Sequence, residues 1–594
     1  MIGLTGRKAL AAGLLAAAAA AMGVWFMING GSSRGEGGVK MKADRDYGTA
    51  AAGSAYTGHG GTFKNTLAEI DTPDPSVVYK DGYYYMTFTH NGTDIMVMKS
   101  RTIDFRQSER KVVWYPPVDT MYSANLWAPE LQYIRGKWYI YFAADNGVNE
   151  NHRMYALEAE TDDPMGSYAF RGQVKDETDK WAIDGLTLEH EGKLYFIWSG
   201  WEGDVNIRQN TYIAPMSDPV TISGPRVLLS EPELDFEKAG GPPYINEGQS
   251  ILKKDGRVFL VYSGAGSWTP FYSLGMLTLE AGADPLVAAN WTKAQEPLLA
   301  MDEAAGVYGP GHNSFVKSPD GTEDWIVYHA TAGATDGWNN RKARAQKVQW
   351  SADGKPVFGK PLALSTAIPV PAGTGLMQGK DGLEKDGRLA FDLIPSAIDG
   401  EAPLLLHYRN PTGQEIRAEI RVEGGEPVQV ALPATEDGVG GTAYASVTLK
   451  SGMNTISLPV PSGWKLDALE IPRFEAELAQ GFGSAEAEDN PFASGGGVAK
   501  LPPEASASLR FLNVAVPADA SYKVRIAAAN TSGKAQPVDL VTADGRRVTL
   551  SVPSAGRNVF SVVETELSFH AGRIDLTLEY AGAELTVDYI DVVR

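Results

Sequence analysis

Asp74, Asp184 and Glu247 each stand just ahead of, or at the mouth of, a short apolar stretch, in Pro73-Asp-Pro-Ser, Ala182-Ile-Asp-Gly and Asn246-Glu-Gly. Carboxyl groups brought from distant points of a chain into one cleft can divide acid and base work between them. Hydrolysis of a glycosidic bond needs that division, with one carboxyl protonated to release the leaving oxygen and one ionised to activate water or attack. Crowding supplies it, because like charges raise the pKa of the least solvated member. Glu247, flanked by Asn246 and Gly248, is the candidate acid. Taken singly, each residue also suits an ordinary turn, since Asp-Pro and Asp-Gly are common turn pairs. Recurrence separates the readings: a solvated turn residue has no reason to occupy the same place in successive repeats.

The elements that must position them recur five times. A polar residue precedes an apolar strand, and a Gly-containing turn leads to an aromatic-rich second strand. The copies begin at Asp74, Glu130, Asp184, Glu247 and His312, at intervals of 56, 54, 63 and 65 residues, each enough for a four-stranded blade. That period predicts a five-bladed β-propeller in which the first strand of every blade lines the axis and carries its polar residue to one point. Glu130 shares the register but is given no catalytic role. Trp127, in Asn125-Leu-Trp-Ala-Pro-Glu130, either stacks on a sugar ring or packs the core. His312, in Gly309-Pro-Gly-His-Asn-Ser, is either a metal ligand in the central channel or a hydrogen-bonded core histidine. Arg341 and Arg344 offer two guanidinium groups, one of which could point inward to hold vicinal hydroxyls and keep the carboxylates ionised.

Composition narrows the partners. The 594 residues exceed a single core, so several domains are expected. A net charge of -20 argues against a nucleic-acid backbone and suits a neutral ligand. Cysteine is absent, so any metal must be held by oxygen or imidazole. Near the N-terminus, Arg7 and Lys8 precede a long uncharged stretch that reads as an export signal, either cleaved within the Ala run or retained as an anchor. Either way the bulk of the protein is expected outside the cytoplasm, with the membrane touched only by that segment.

The expected organisation is an export segment over residues 1–33, a flexible tether over 34–62, the propeller over 63–365, a linker over 366–382, and modules over 383–473 and 474–594. The two modules repeat one another. Leu404-Leu-Leu-His-Tyr-Arg-Asn matches Tyr522-Lys-Val-Arg-Ile-Ala-Ala-Ala-Asn, and Ser451-Gly-Met-Asn-Thr-Ile matches Ala571-Gly-Arg-Ile-Asp-Leu. Short alternating strands and frequent turn residues predict two tandem, jelly-roll-like β-sandwiches, making the chain all-β.

Together the propeller motifs resemble glycoside hydrolase family 43, five-bladed enzymes acting on arabinose- and xylose-containing polysaccharides. The resemblance implies an inverting reaction with Asp74 as base, Asp184 as modulator of the acid, and Glu247 as acid. Ser123-Ala-Asn-Leu-Trp-Ala-Pro-Glu, Asn149-Glu-Asn-His-Arg-Met-Tyr and Phe196-Ile-Trp-Ser-Gly-Trp-Glu-Gly look most like its exo-acting α-L-arabinofuranosidases. Asn125, Trp127, Trp201 and Arg344 are then the candidate substrate-binding residues. Endo-arabinanase and β-xylosidase activities belong to the same family, and a catalytically silent sugar-binding propeller is the reading from another class. Where the family often has Pro after the Glu-Gly of the acid motif, this chain has Gln249. The resemblance also implies calcium near His312. The last module, from Phe474-Glu-Ala-Glu477 to Asp591, resembles family 6 and 35 carbohydrate-binding modules, which implies a structural calcium on Glu475, Glu477 and Asp591. No organic cofactor is expected.

Overall fold

In the computed structural model, which describes residues 56–594 apart from 437, 504 and 505, the second strand of every repeat is buried almost end to end. Tyr83–Thr87, Lys137–Asp145, Lys193–Gly200, Arg257–Gly264 and Asp324–Thr331 are apolar on both faces because each face meets another sheet. Each pairs with the strand before it, namely Ser76–Lys80, Ala124–Ile134, Ala182–His190, Tyr244–Lys254 and Tyr308–Lys317. These five first strands touch one another in sequence and the fifth touches the first, closing a ring. The sheets are therefore blades of a five-bladed propeller. A cavity of about 300 Å³ runs between the inner strands, lined by Ser76, Glu130, Gln132, Thr187, Ser250 and Ser314.

Aromatic packing holds neighbouring blades together. Trp138, Trp325, Phe142 and Tyr141 are fully buried, and covering a ring of Phe size contributes about 2–3 kcal/mol. Blade five has three strands of its own, the last being Lys342–Lys347, and is completed by the chain's N-terminal side. Leu67 N–H donates to the Ala343 carbonyl at 2.8 Å and Ala345 N–H to Asn65 Oδ1 at 2.8 Å. Joining the two ends of the propeller in one blade ties its closure to the sequence extremes.

The expected export segment and most of the expected tether lie outside the described residues. The described end of that tether, residues 56–62, is a packed strap rather than a flexible spacer. Tyr56 donates to Glu470 at 2.8 Å, His59 Nε2 lies 2.7 Å from the Arg473 carbonyl, and Thr62–Phe63 pairs with Ile368–Pro369. Its glycines serve close approach: a Cβ on Gly60, where φ is 75°, would lie 2.0 Å from the Asn513 carbonyl oxygen. Met377–Gln378, in the expected linker, likewise pairs into the sheet that follows.

Two β-sandwiches come next, with a shared plan. In the first, Gly400–Arg409 lies between Gly441–Leu449 and Lys465–Glu470; in the second, Ala520–Asn530 lies between Ser561–Phe569 and Leu585–Val593. Asn410 and Asn530 end the equivalent strands and make equivalent bonds, their amides donating to Leu432 and Val552 carbonyls at 2.8 and 2.9 Å. Each sandwich closes over its own apolar core, around Leu404, Ile420 and Ile456 in one and Val524, Leu540 and Leu576 in the other. Among the described residues the structure is strand and short 3-10 turn, and no helix is long and apolar enough to cross a membrane.

Candidate active site

Pairing between first and second strands skips at an equivalent place in four blades, between Trp127 and Glu130, Ile183 and Leu186, Glu247 and Ser250, and Gly311 and Ser314, and blades two and five skip once more before it. Bulges of this kind bend a strand and re-aim a side chain. The backbone is left-handed at Asp74 (φ 57°), Asp184 (φ 56°) and His312 (φ 41°), a costly conformation for residues bearing a Cβ. Gly248 (φ 59°) adopts it freely, and a Cβ there would press on the His312 ring at 3.0 Å.

These devices gather the axis residues around His312. Its Nδ1 lies 3.4 Å from Asp74 Oδ1 and 3.8 Å from Asp184 Oδ2, and its Nε2 lies 3.4 Å from Glu130 Oε1. Asp74 also accepts from Thr89 at 2.7 Å and from Arg341 Nη1 at 3.2 Å, while its backbone N–H donates to His329 Nδ1 at 3.0 Å. Asp184 Oδ2 accepts the Gly248 N–H at 2.8 Å, which links it to the residue beside Glu247. The Tyr272 hydroxyl lies near the Glu247 carboxyl. All of these side chains are nearly excluded from solvent except Thr89 and Arg341, which are partly exposed.

Burial acts to raise Asp74, Asp184 and Glu247, and the neighbours then separate them. Around Asp74, Arg341, His312, His329 and Thr89 overcome the burial and hold it well below the usual carboxylate range. Glu247 is pushed up to about 8 by burial and by the Asp184 charge. Asp184 stands between them at about 6, raised by burial and by Asp74 against the pull of His312. Burial disfavours the His312 cation, yet Asp184, Asp74 and Glu130 raise it to about 10. At neutral pH the cluster therefore holds an ionised Asp74, a protonated Glu247 and a cationic imidazole.

The model of glycosyl hydrolases family 43 matches residues 63–356. An extracellular exo-α-(1→5)-L-arabinofuranosidase of Streptomyces chartreusis is 36% identical over 256 residues, which are 42% of this chain and 77% of that protein. The chain belongs to glycosyl hydrolase family 43. A protein of the same description from Streptomyces avermitilis is 38% identical over 326 residues, 53% of this chain and 67% of that one. Among solved structures, an α-L-arabinofuranosidase from Lactobacillus brevis is 33% identical, covering 51% of this chain and 98% of that chain with a TM-score of 0.48.

Within this family 43 propeller the other expected site residues fare unevenly. Trp127 is half-buried, with its ring stacked on His152 at 4.0 Å. Asn125 donates to both oxygens of buried Asp145, at 2.9 and 3.1 Å, and Asp145 in turn lies 3.0 Å from His152. Trp201 is not on the cleft surface: it is 2% exposed and stacks on Trp181, centroids 4.8 Å apart. Arg344 is likewise displaced from its expected role. It lies mid-strand, faces Tyr328 inside blade five, and donates to the Thr331 carbonyl at 3.1 Å. Arg341 takes the expected place on Asp74 because it sits in the loop before that strand, at the end of the blade where the first strands begin.

At His312, where calcium is expected, Nδ1 faces Asp74 and Asp184 and Nε2 faces Glu130. In the last sandwich Asp591 is engaged elsewhere, its two oxygens accepting from Arg473 at 2.9 and 2.8 Å. Asp588 replaces it near Glu475 and Glu477, and Ser494 bridges the group, its hydroxyl donating to Glu475 at 3.0 Å and its N–H to Asp588 at 2.8 Å. Strand alternation explains the change, because residues three apart point to opposite faces. Glu475 Oε2 and Glu477 Oε2 are buried without a hydrogen-bond partner among the described residues. Among the described residues no three His, Asp or Glu side chains stand in metal-holding geometry.

Proposed function

We propose that this chain is an extracellular, exo-acting and inverting α-L-arabinofuranosidase that removes terminal arabinofuranosyl units from arabinan or arabinose-substituted hemicellulose. The observation that carries the chemistry is the separation of Asp74 from Glu247 in one buried cluster, the first held ionised and the second pushed up to about 8. Asp74 takes a proton from the water that attacks the anomeric carbon. Glu247 gives its proton to the departing oxygen. Asp184, through its charge and its bond to Gly248, keeps Glu247 protonated and oriented. The choice of sugar and of an exo mode rests on the descriptions of the two Streptomyces relatives, which also support an extracellular setting.

Hydrolysis of nitrophenyl α-L-arabinofuranoside and of debranched arabinan tests the reading. Glu247→Gln and Asp74→Asn should each lower kcat on arabinan by about 10²- to 10⁴-fold, with the acid variant less affected on the aryl glycoside, whose leaving group needs little protonation. Absence of wild-type turnover on both substrates would sink the enzyme assignment, and full activity of Glu247→Gln would sink the acid assignment.

We propose that the last sandwich takes calcium on Glu475, Glu477 and Asp588, which would have to draw together around the ion, since without it they do not stand in metal-holding geometry. Support comes from the donor chemistry, all oxygen, and from two buried carboxylate oxygens with no partner. When bound, the ion supplies fixed positive charge among those carboxylates and so a structural tie.

A further inference from the structure

We infer that Trp338 and Trp268 form a stacking platform for the sugar ring on the leaving-group side of the bond that is cut. The inference rests on the arabinofuranosidase reading above. Among the described residues these are the two tryptophans with open surface, at 61% and 37% exposure, whereas the propeller's other tryptophans are buried or half-buried in blade packing. They touch each other edge to face, with ring centroids 5.6 Å apart and planes at 73°. Trp338 Nε1 donates to Ser267 Oγ at 3.2 Å, so the pair is anchored on its polar edge and leaves ring surface to solvent.

Topology places the pair at the mouth of the site. Trp268 lies in residues 265–272, between the second and third strands of blade four, and Trp338 lies in residues 332–341, the equivalent loop of blade five. Because strands run antiparallel, such loops open on the face where the first strands begin, the face that carries Asp74, Asp184 and Glu247. Both loops are also tied to the cluster. Arg341 donates from Nε to the Trp338 carbonyl and from Nη1 to Asp74, each at 3.2 Å. The loop of Trp268 ends at Tyr272, near Glu247.

Which side of the bond the platform serves follows from the blade it belongs to. Glu247 lies near the start of the first strand of blade four and protonates the leaving oxygen, so the loop ending at Tyr272 flanks the departing sugar. Hydrogen bonds within both loops hold them in shape: Thr269 N–H to the Gly266 carbonyl at 2.9 Å, and Asn339 N–H to the Asp336 carbonyl at 3.1 Å. An exposed, anchored aromatic pair on the face that carries the acids suits the C–H face of a neutral pentose ring, with Trp338 as the contact surface and Trp268 as its brace.

Trp338→Ala and Trp268→Ala, assayed on α-1,5-linked arabinotriose and on α-L-arabinofuranosyl fluoride, test this. The fluoride has the same terminal sugar but no ring in its leaving group. Both variants should lose about tenfold or more in kcat/KM on the trisaccharide, chiefly through KM, and Trp338→Phe should recover much of it. Activity on the fluoride should be unchanged. A wild-type rate on the trisaccharide in Trp338→Ala overturns the platform, as does an equal loss on both substrates. Wild-type protein inactive on both overturns the arabinofuranosidase reading, and with it this ligand.

Discussion

At the propeller axis, Asp74, Asp184 and Glu130 surround the His312 ring, and Arg341 reaches Asp74 from the rim. In the last sandwich, Glu475, Glu477 and Asp588 are gathered with no ion pair to any of them among the described residues, and the nearby Arg473 is bound by Asp591. Both clusters are buried, so desolvation raises carboxyl pKa values in each. Only the first has cations set directly against its carboxylates; Arg473, Arg106 and Lys64 act on the second from farther away. In the first, that internal charge sorts the members, holding Asp74 ionised while Glu247 stays protonated. In the second, burial outweighs those cations and raises the group together, Glu475 well above its ordinary value, Glu477 to about 7 and Asp588 to about 6. An acidic cluster with a built-in cation can carry proton chemistry; one without it calls for a cation from solution.

Removing the built-in cation should have the largest effect on this contrast. His312→Ala leaves its carboxylates facing one another and should destabilise the protein by about 3–5 kcal/mol, read by urea unfolding at pH 7. The sign follows from the raised pKa: the His312 contribution is complete below its ordinary value of 6.5 and is lost as pH rises through about 10. A loss below about 1 kcal/mol would mean that the axis does not depend on this charge.

Supplying a cation to the second cluster should act in the opposite sense. Calcium at a hundred times its dissociation constant should stabilise the protein by about 2.7 kcal/mol, seen as a higher Tm than in chelator. Glu475→Gln should abolish that response and Asp591→Asn should preserve it, since Asp591 serves Arg473. Without calcium, raised carboxyls favour the fold at low pH, so stability should fall from about pH 4 to pH 7 as the unfolded carboxyls ionise first. A flat Tm in calcium and chelator would remove the contrast between the clusters.

The smallest effect is on the pH profile. Glu247 must be protonated and Asp74 ionised, so kcat/KM should decline about tenfold per unit above pH 8 while its acid limb lies below the ordinary carboxylate range. A base limb near pH 5 would remove Glu247 from the acid role.

Much of the axis was legible because strand spacing is regular. Asp74, Asp184, Glu247 and His312 recur at blade intervals, and one polar residue per first strand is enough to predict convergence. Arg341 and Arg344 were harder to separate. They differ by three residues, and only the end of the strand decides that one meets Asp74 while the other enters the blade. Asp588 and Asp591 pose the same problem, one near the two glutamates and the other on Arg473. Glu130 meets His312 across 182 residues of chain, a pairing that repeat register alone leaves open. Trp201 was the expected cleft residue but is buried, whereas Trp338, which no motif singled out, is exposed.

By itself, then, the sequence determined the all-β architecture, the number of blades and the acids at their inner edge, since these follow from periodicity and composition along the chain. Tertiary structure alone decided which cation faces which carboxylate, which tryptophans remain open, and which aspartate joins the glutamates. Those choices depend on bulges, loop paths and alternation of faces, where a shift of one to three residues turns a side chain from cleft to core.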